Sequence, residues 1–248
     1  MIQKDPMDAS NPAGATYQRI EGIAYQNALR EAALLNKKGV SAFFLEGQLG
    51  TDLSLRVFRE ALLTLQALAV SNDILGIQEL DLRQGLKLYT APEMRNLSDA
   101  AFHLCNEPKV FEVSHDDVFC VTRLSTFSAA VLFNLALACH QQAVLTNMST
   151  KCSRAAELLY EQCAQLCTNI LDVNHDAKDI WVLYMSCTNN IVHIQKSLFR
   201  TTELNVSLTQ LRQLAEKVGD GAANDELVQQ VTLNIIMAAE ERLAASIA

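Results

Sequence analysis

The chain is poor in the residues that break helices. It has 9 glycines and 4 prolines in 248 residues. Sheet-rich folds need turn residues more often, so the shortage points to helix. Aromatics make up only 6% of a chain that is 50% hydrophobic, so any core is mostly aliphatic and small. Cations are in deficit as well: 20 Lys and Arg against 28 Asp and Glu give a net charge of −8. A chain of that sign gains nothing by releasing counterions from a phosphate backbone, and no basic stripe interrupts it, which argues against a nucleic-acid partner. Gly-rich phosphate loops, nucleophile elbows and dinucleotide fingerprints are missing, and no cofactor or metal is expected. The longest apolar run, Ala129 to Cys139, is broken by Asn134 and falls short of the ~20 residues that span a bilayer. The opening MIQKDPMDASNPAGA has no apolar centre; residues 1–16 read as a disordered tail, not a secretory leader. Seven cysteines, an odd number lying mostly on apolar helix faces, suit free buried thiols in a reducing compartment. Together these features predict a soluble protein of the cytoplasm, with the nucleus also open to it, and no membrane partner.

The stretch Phe127 to Ile170 reads FSAAVLFNLALACHQQAVL, a polar break TNMSTKCS, then RAAELLYEQCAQLCTNI. Its first half is apolar on most of a helix circumference, as in a sandwiched helix. The second half puts Cys152, Ala156, Leu159, Tyr160, Cys163, Cys167 and Ile170 on one face, as in an outer wall. An all-α fold of antiparallel helix pairs follows, and 248 residues suffice for one array over 17–248.

Other segments fit this plan. Ile20, Ala24, Ala28, Ala32 and Leu35 have helical spacing, in a helix that either breaks near Asn36 or runs on towards Gly47 and Gly50. Asp52 can cap DLSLRVFREALLTLQAL. Residues 71–123 interrupt the helical period as an irregular insertion. Within it, KVFEV (109–113) and VFCVT (118–122) are β-leaning and predict a small hairpin. Ile180, Tyr184, Cys187, Ile191, Ile194 and Leu198 then form a packing seam. Leu204, Leu208, Leu211 and Ala215 form another. A last helix, Asp225 to Ile247, is apolar on several sides and offers a surface for self-association.

FNLALACHQQ resembles helix A of a tetratricopeptide repeat, through Asn134-Leu135-Ala136 and Cys139. AAELLYEQCAQL resembles helix B, through Ala156, Tyr160 and Cys163. GVSAFFLEGQLGTDLSLRVFREAL is similar to a first repeat, and Asn190-Ile191-Val192 stands where a third would have Asn-Leu-Gly. The break inside the central pair is longer than in a standard repeat of about 34 residues. The whole chain is similar in arrangement to divergent repeat proteins of microalgae, a class that carries no activity over. The resemblance implies a stacked α-α superhelix that binds a ligand on the concave face of its A helices. Carried over from the Asn positions, the inward residues are Asn134, His140 and Gln141, then Ser186, Asn189, His193, Lys196 and Ser197. Polar groups on apolar helices must meet each other, water or a ligand. The implied function is a non-catalytic protein-protein interaction module that takes a peptide or protein segment. The family's clamp for a terminal carboxylate is not repeated here. Gly39, Phe43, Ser186 and Asn190 stand at its positions, only Asn134 agrees, and the charge-assisted bonds are missing.

The enzymatic alternative is an all-helical metal-dependent hydrolase of the His…His-Asp…Asp kind. His140, His175-Asp176 and Asp220 or Asp225 have the right order, and the chemistry needs imidazole and carboxylate around an ion that activates water. Against it, His175-Asp176 precedes a helix instead of lying within one, and Asn174 or Asp176 reads as the cap of the helix from Ala177. Cys163 and Cys167, one turn apart, and His103 with Cys105 are possible zinc pairs, but the first two lie on a buried stripe. Cys139 and His140 point about 100° apart on their helix and cannot act as a dyad.

Overall fold

The computed structural model of the protein describes residues 12–45, 47–73, 89–90, 104–113, 121–147, 149–219 and 226–247. They contain the helices α1 (Pro12–Phe43), α2 (Gly47–Asp73), α3 (Val121–Leu145), α4 (Thr150–Val173), α5 (Lys178–Ser197), α6 (Thr201–Gly219) and α7 (Glu226–Ile247). The strand structure among the described residues is a short bridge of β1 (Tyr89–Thr90) with β2 (Lys109–Val110). At this level the all-α expectation holds.

Each helix packs chiefly on the next in sequence. The Cys163 thiol meets the Ala129 carbonyl and the Cys152 thiol meets Gln142, so α3 and α4 are antiparallel. Asn190 with Tyr160 and Gln195 with Glu157 set the same relation between α4 and α5. In addition α1 touches α3, and α3 touches α5, so these odd-numbered helices form a row.

α3 is the centre of the core. Phe127, Ala129, Ala130, Val131, Phe133, Ala136 and Ala138 are all fully buried, on every side of the helix. Burying a Val- or Phe-sized side chain is worth about 1.5–3 kcal/mol. The helical stretch Arg123–Leu145 is longer than the apolar run legible in the sequence, and is long and apolar enough to cross a membrane by length and composition. In the fold, 78% of that apolar window is buried, chiefly by α2 and α4. α4 has a single buried stripe, as expected of a wall: Ser153, Ala156, Tyr160, Cys163, Cys167 and Ile170. A second core joins α5, α6 and α7 through Met185, Val192, Leu208, Leu211, Val231 and Ile235.

Several local expectations are corrected. α1 begins at Pro12, inside the stretch read as tail, and runs through Asn36 to Phe43; residues 1–11 lie outside the described part. α2 starts at Gly47, whose φ of +75 makes the turn, so Asp52 is inside the helix and is not its cap. The turn is tight at Gly50 too, where a Cβ would run into the Leu45 and Ala42 carbonyl oxygens. The break between α3 and α4 is only residues 146–149, because Thr150 to Ser153 already form the first turn of α4. The 109–113/118–122 hairpin is not formed as drawn. Lys109-Val110 pair with Thr90-Tyr89, antiparallel. Val121 and Thr122 belong to α3, and 118–120 lie outside the described residues. Burial of the long helix outweighs the weak strand preference of its first turn. Finally, α5 is preceded by Ala177 with no side-chain cap, while Asn174 closes α4 through its backbone N–H to Ile170.

Candidate functional site

Each odd-numbered helix carries a fully buried asparagine: Asn36 on α1, Asn134 on α3, Asn190 on α5, where Asn189 is buried beside it, and Asn234 on α7. Against the first three runs the strip Leu104 to Val113, irregular apart from β2. Asn134 accepts the Lys109 N–H through Oδ1 at 2.7 Å and donates from Nδ2 to the Lys109 carbonyl, also at 2.7 Å. Asn190 treats Cys105 the same way, at 3.0 Å to its N–H and 2.9 Å to its carbonyl. A side-chain amide has one acceptor and one donor side by side, so it can pair with both polar groups of a single residue, as a neighbouring strand would. The ladder thus grips the backbone at two points four residues apart.

Further amides complete it. Asn36 donates to the Lys109 carbonyl at 2.9 Å and accepts from Asn134 at 2.8 Å. Asn190 donates to the Tyr160 hydroxyl at 3.0 Å and accepts from Asn189 at 3.4 Å. Asn189 in turn accepts from Asn234 at 2.8 Å, which ties α7 to α5. Both Asn134 hydrogens are used, and both Asn190 hydrogens as well, as buried amides require.

The strip is anchored by side chains too. Phe111 stacks on Phe127 of α3, centroids 4.1 Å apart and planes 14° apart. Leu104 and Cys105 are buried, and burial pushes the Cys105 thiol up to about 12. Lys109 is buried as well. Its Nζ stands 3.9 Å from Glu107, on the same strip, and 6.0 Å from the Phe133 ring centroid. Burial holds its pKa below the ordinary lysine value, against a smaller opposing effect of Glu107.

The sequence-predicted residues divide. Asn134 grips the strip, and Asn189 supports Asn190. His140 and His193 meet in the interior, Nε2 to Nδ1 at 3.0 Å. Burial, then the neighbouring imidazole, pushes His140 down to about 3, and its Nδ1 has no partner among the described residues. His140 is therefore neutral near pH 7. Ser186 donates back to Val182 of its own helix, and its hydroxyl also lies beside the Cys105 thiol. Gln141 points the other way, toward Thr51 of α2 at 3.5 Å. Lys196 is half-buried, and Ser197 donates to the His193 carbonyl. These residues do not form one open polar groove; most are enclosed.

Sequence reasoning missed Asn36 and Asn234, and missed that Asn190 clamps backbone. An Asn before an aliphatic residue on an apolar helix was the available signal, at Asn134-Leu135, Asn190-Ile191 and Asn234-Ile235. It also missed Glu157, a buried carboxylate that accepts from Gln195 at 3.0 Å and Arg200 at 2.6 Å.

The hydrolase constellation is not brought together. His140 lies near the end of α3 that adjoins the start of α4, whereas His175 follows the far end of α4. At 1.5 Å per residue the separation is roughly 25 Å. His175 is held by its carbonyl, which accepts from the Trp181 indole. Asp220 and Asp225 lie outside the described residues, as does His103. Among the described residues no cluster of His, Cys, Asp and Glu could hold a metal ion. The cysteines described are free. Burial raises Cys139 to about 11 and Cys163 and Cys187 upward, so they persist as thiols, not as nucleophilic thiolates. The arrangement is suited to holding a peptide backbone. Comparison with known protein families, with curated proteins and with solved structures finds no match.

Proposed function

We propose that this chain is a non-catalytic interaction module, a divergent TPR-like array that holds an extended protein segment on its A-helix face. The observation that carries this reading is the paired amide grip of Asn134 on Lys109 and of Asn190 on Cys105. A side chain that pairs with both polar groups of a residue reads extended backbone whatever the side chain there is, and specificity then comes from the alternate pockets. Sequential antiparallel pairing of the helices supports the array. The His140–His193 pair links α3 to α5, and Asn189 links α5 to α7.

The test is a panel of extended decapeptides presented to the full-length protein, at a temperature where circular dichroism shows wild type and variant folded. Selected peptides should be captured by wild type and lose at least tenfold in capture with the Asn134→Ala, Asn190→Ala double variant. Equal capture by both proteins would contradict the reading.

A further inference from the structure

The rungs of the ladder are already occupied. Both gripped residues, Cys105 and Lys109, belong to this chain, and they sit far in sequence from the asparagines that hold them. We infer that the strip Leu104 to Val113 is a resident ligand, and that the partner is an extended peptide with the same anchors, which takes its place. The inference rests on the function proposed above and names the partner's chemistry: a small residue at the Asn190 rung, a long side chain four residues on at the Asn134 rung, and an aromatic two residues after that.

Three observations carry it. First, the strip is held through backbone and pockets, which any chain of matching shape could use. Cys105 fills a small site, Lys109 a long one beside Phe133, and Phe111 the stack on Phe127. Second, the helices build their own interfaces without it. α2 packs on α3, α3 on α4, and α4 on α5, and the strip lies against α1, α3 and α5. Third, the resident is an imperfect fit. It takes an ammonium group into a buried site where the nearest carboxylate among the described residues, Glu107, comes from the strip itself, at 3.9 Å and half-exposed. A ligand that carries its own cost is the kind that a better one displaces, and a competitor sees an affinity reduced by the fraction of molecules in which the site is open.

The probe is a fluorescently labelled peptide of sequence LCNEPKVFEV, residues 104–113, titrated against full-length protein by anisotropy. Three proteins are compared: wild type, Phe111→Ala and the milder Phe111→Leu, which loosen the resident without touching the rungs. A second peptide carries an N-methyl group on the backbone nitrogen of its lysine and so cannot donate from there to Asn134. The inference expects the plain peptide to bind Phe111→Ala at least tenfold tighter than wild type, with Phe111→Leu between them. It also expects N-methylation to cost at least tenfold in binding to either variant. Equal binding to all three proteins, still lost on N-methylation, would overturn residence in cis while leaving backbone reading intact. No binding to any folded protein, or binding indifferent to N-methylation, would overturn both. Should Phe111→Ala not fold, the order of Phe111→Leu over wild type decides.

Discussion

The ladder depends on single amides with no spare bonds. Asn134 accepts one hydrogen bond and donates two, all in a site closed to water. Asn134→Ala leaves the Lys109 N–H unpaired, and a buried unsatisfied group costs about 1–3 kcal/mol. Urea unfolding should show a loss of that size. Asn134→Asp should be at least as damaging, although it is nearly the same shape. A carboxylate can still accept from Lys109 N–H, but it would face the Lys109 carbonyl and the Asn36 Oδ1 with nothing to donate. A variant Asn134→Asp as stable as wild type would show that these bonds do not hold the strip. Lys109 makes the opposite case. Its folded pKa lies below the ordinary value, so in the alkaline range the unfolded chain binds more protons, and stability rises as pH climbs toward 10.5. Lys109→Met should remove that rise and add on the order of 1 kcal/mol near neutral pH, since it removes a buried charge with a weak partner.

The helices were largely legible one by one, because apolar periodicity survives as long as burial is one-sided. α4 and α6 show it in Tyr160 and Leu211. What failed was punctuation. Asp52 looks like a cap, yet Gly47 can take a positive φ and lets α2 start earlier. VFCVT looks like a strand, yet its end is drawn into α3. Helix contacts were harder still, as the imidazoles show. His140 and His193 lie 53 residues apart, and only the packing of α3 against α5 brings them to 3.0 Å. That contact makes a pH prediction. His140 titrates near 3 in the fold against 6.5 when free. Between those values the unfolded chain holds the extra proton, so the stability is fully present above pH 6.5 and is lost as pH falls through the window. From pH 7.5 to 5.0 the loss is up to about 2 kcal/mol, at ~1.4 kcal/mol per pH unit below 6.5. His140→Gln should flatten that part of the urea-midpoint profile. A variant whose profile falls as steeply as wild type would place the acid sensitivity elsewhere.

Across the molecule, the sequence showed an all-helical chain and half of the polar residues that matter, but not what they hold. Asn134, Asn189 and His193 stood out because they are polar on apolar helices, and the structure does bury all three. Their target was invisible, since a hydrogen bond to backbone leaves no mark in side-chain identity. Cys105 and Lys109 carry no signal of being gripped, and the insertion around them looks like an interruption of the array. In the fold its residues 104–113 are the strip that α1, α3 and α5 hold. The central claim is that Asn134 and Asn190 grip separate residues of that strip, and single-amide hydrogen exchange by NMR tests it most directly. In wild type the Cys105 and Lys109 amides should exchange at least a hundredfold slower than an open chain. Asn134→Ala should release Lys109 and leave Cys105 protected, and Asn190→Ala should do the reverse. Two amides that exchange freely in wild type, or that stay protected in both variants, would contradict the account.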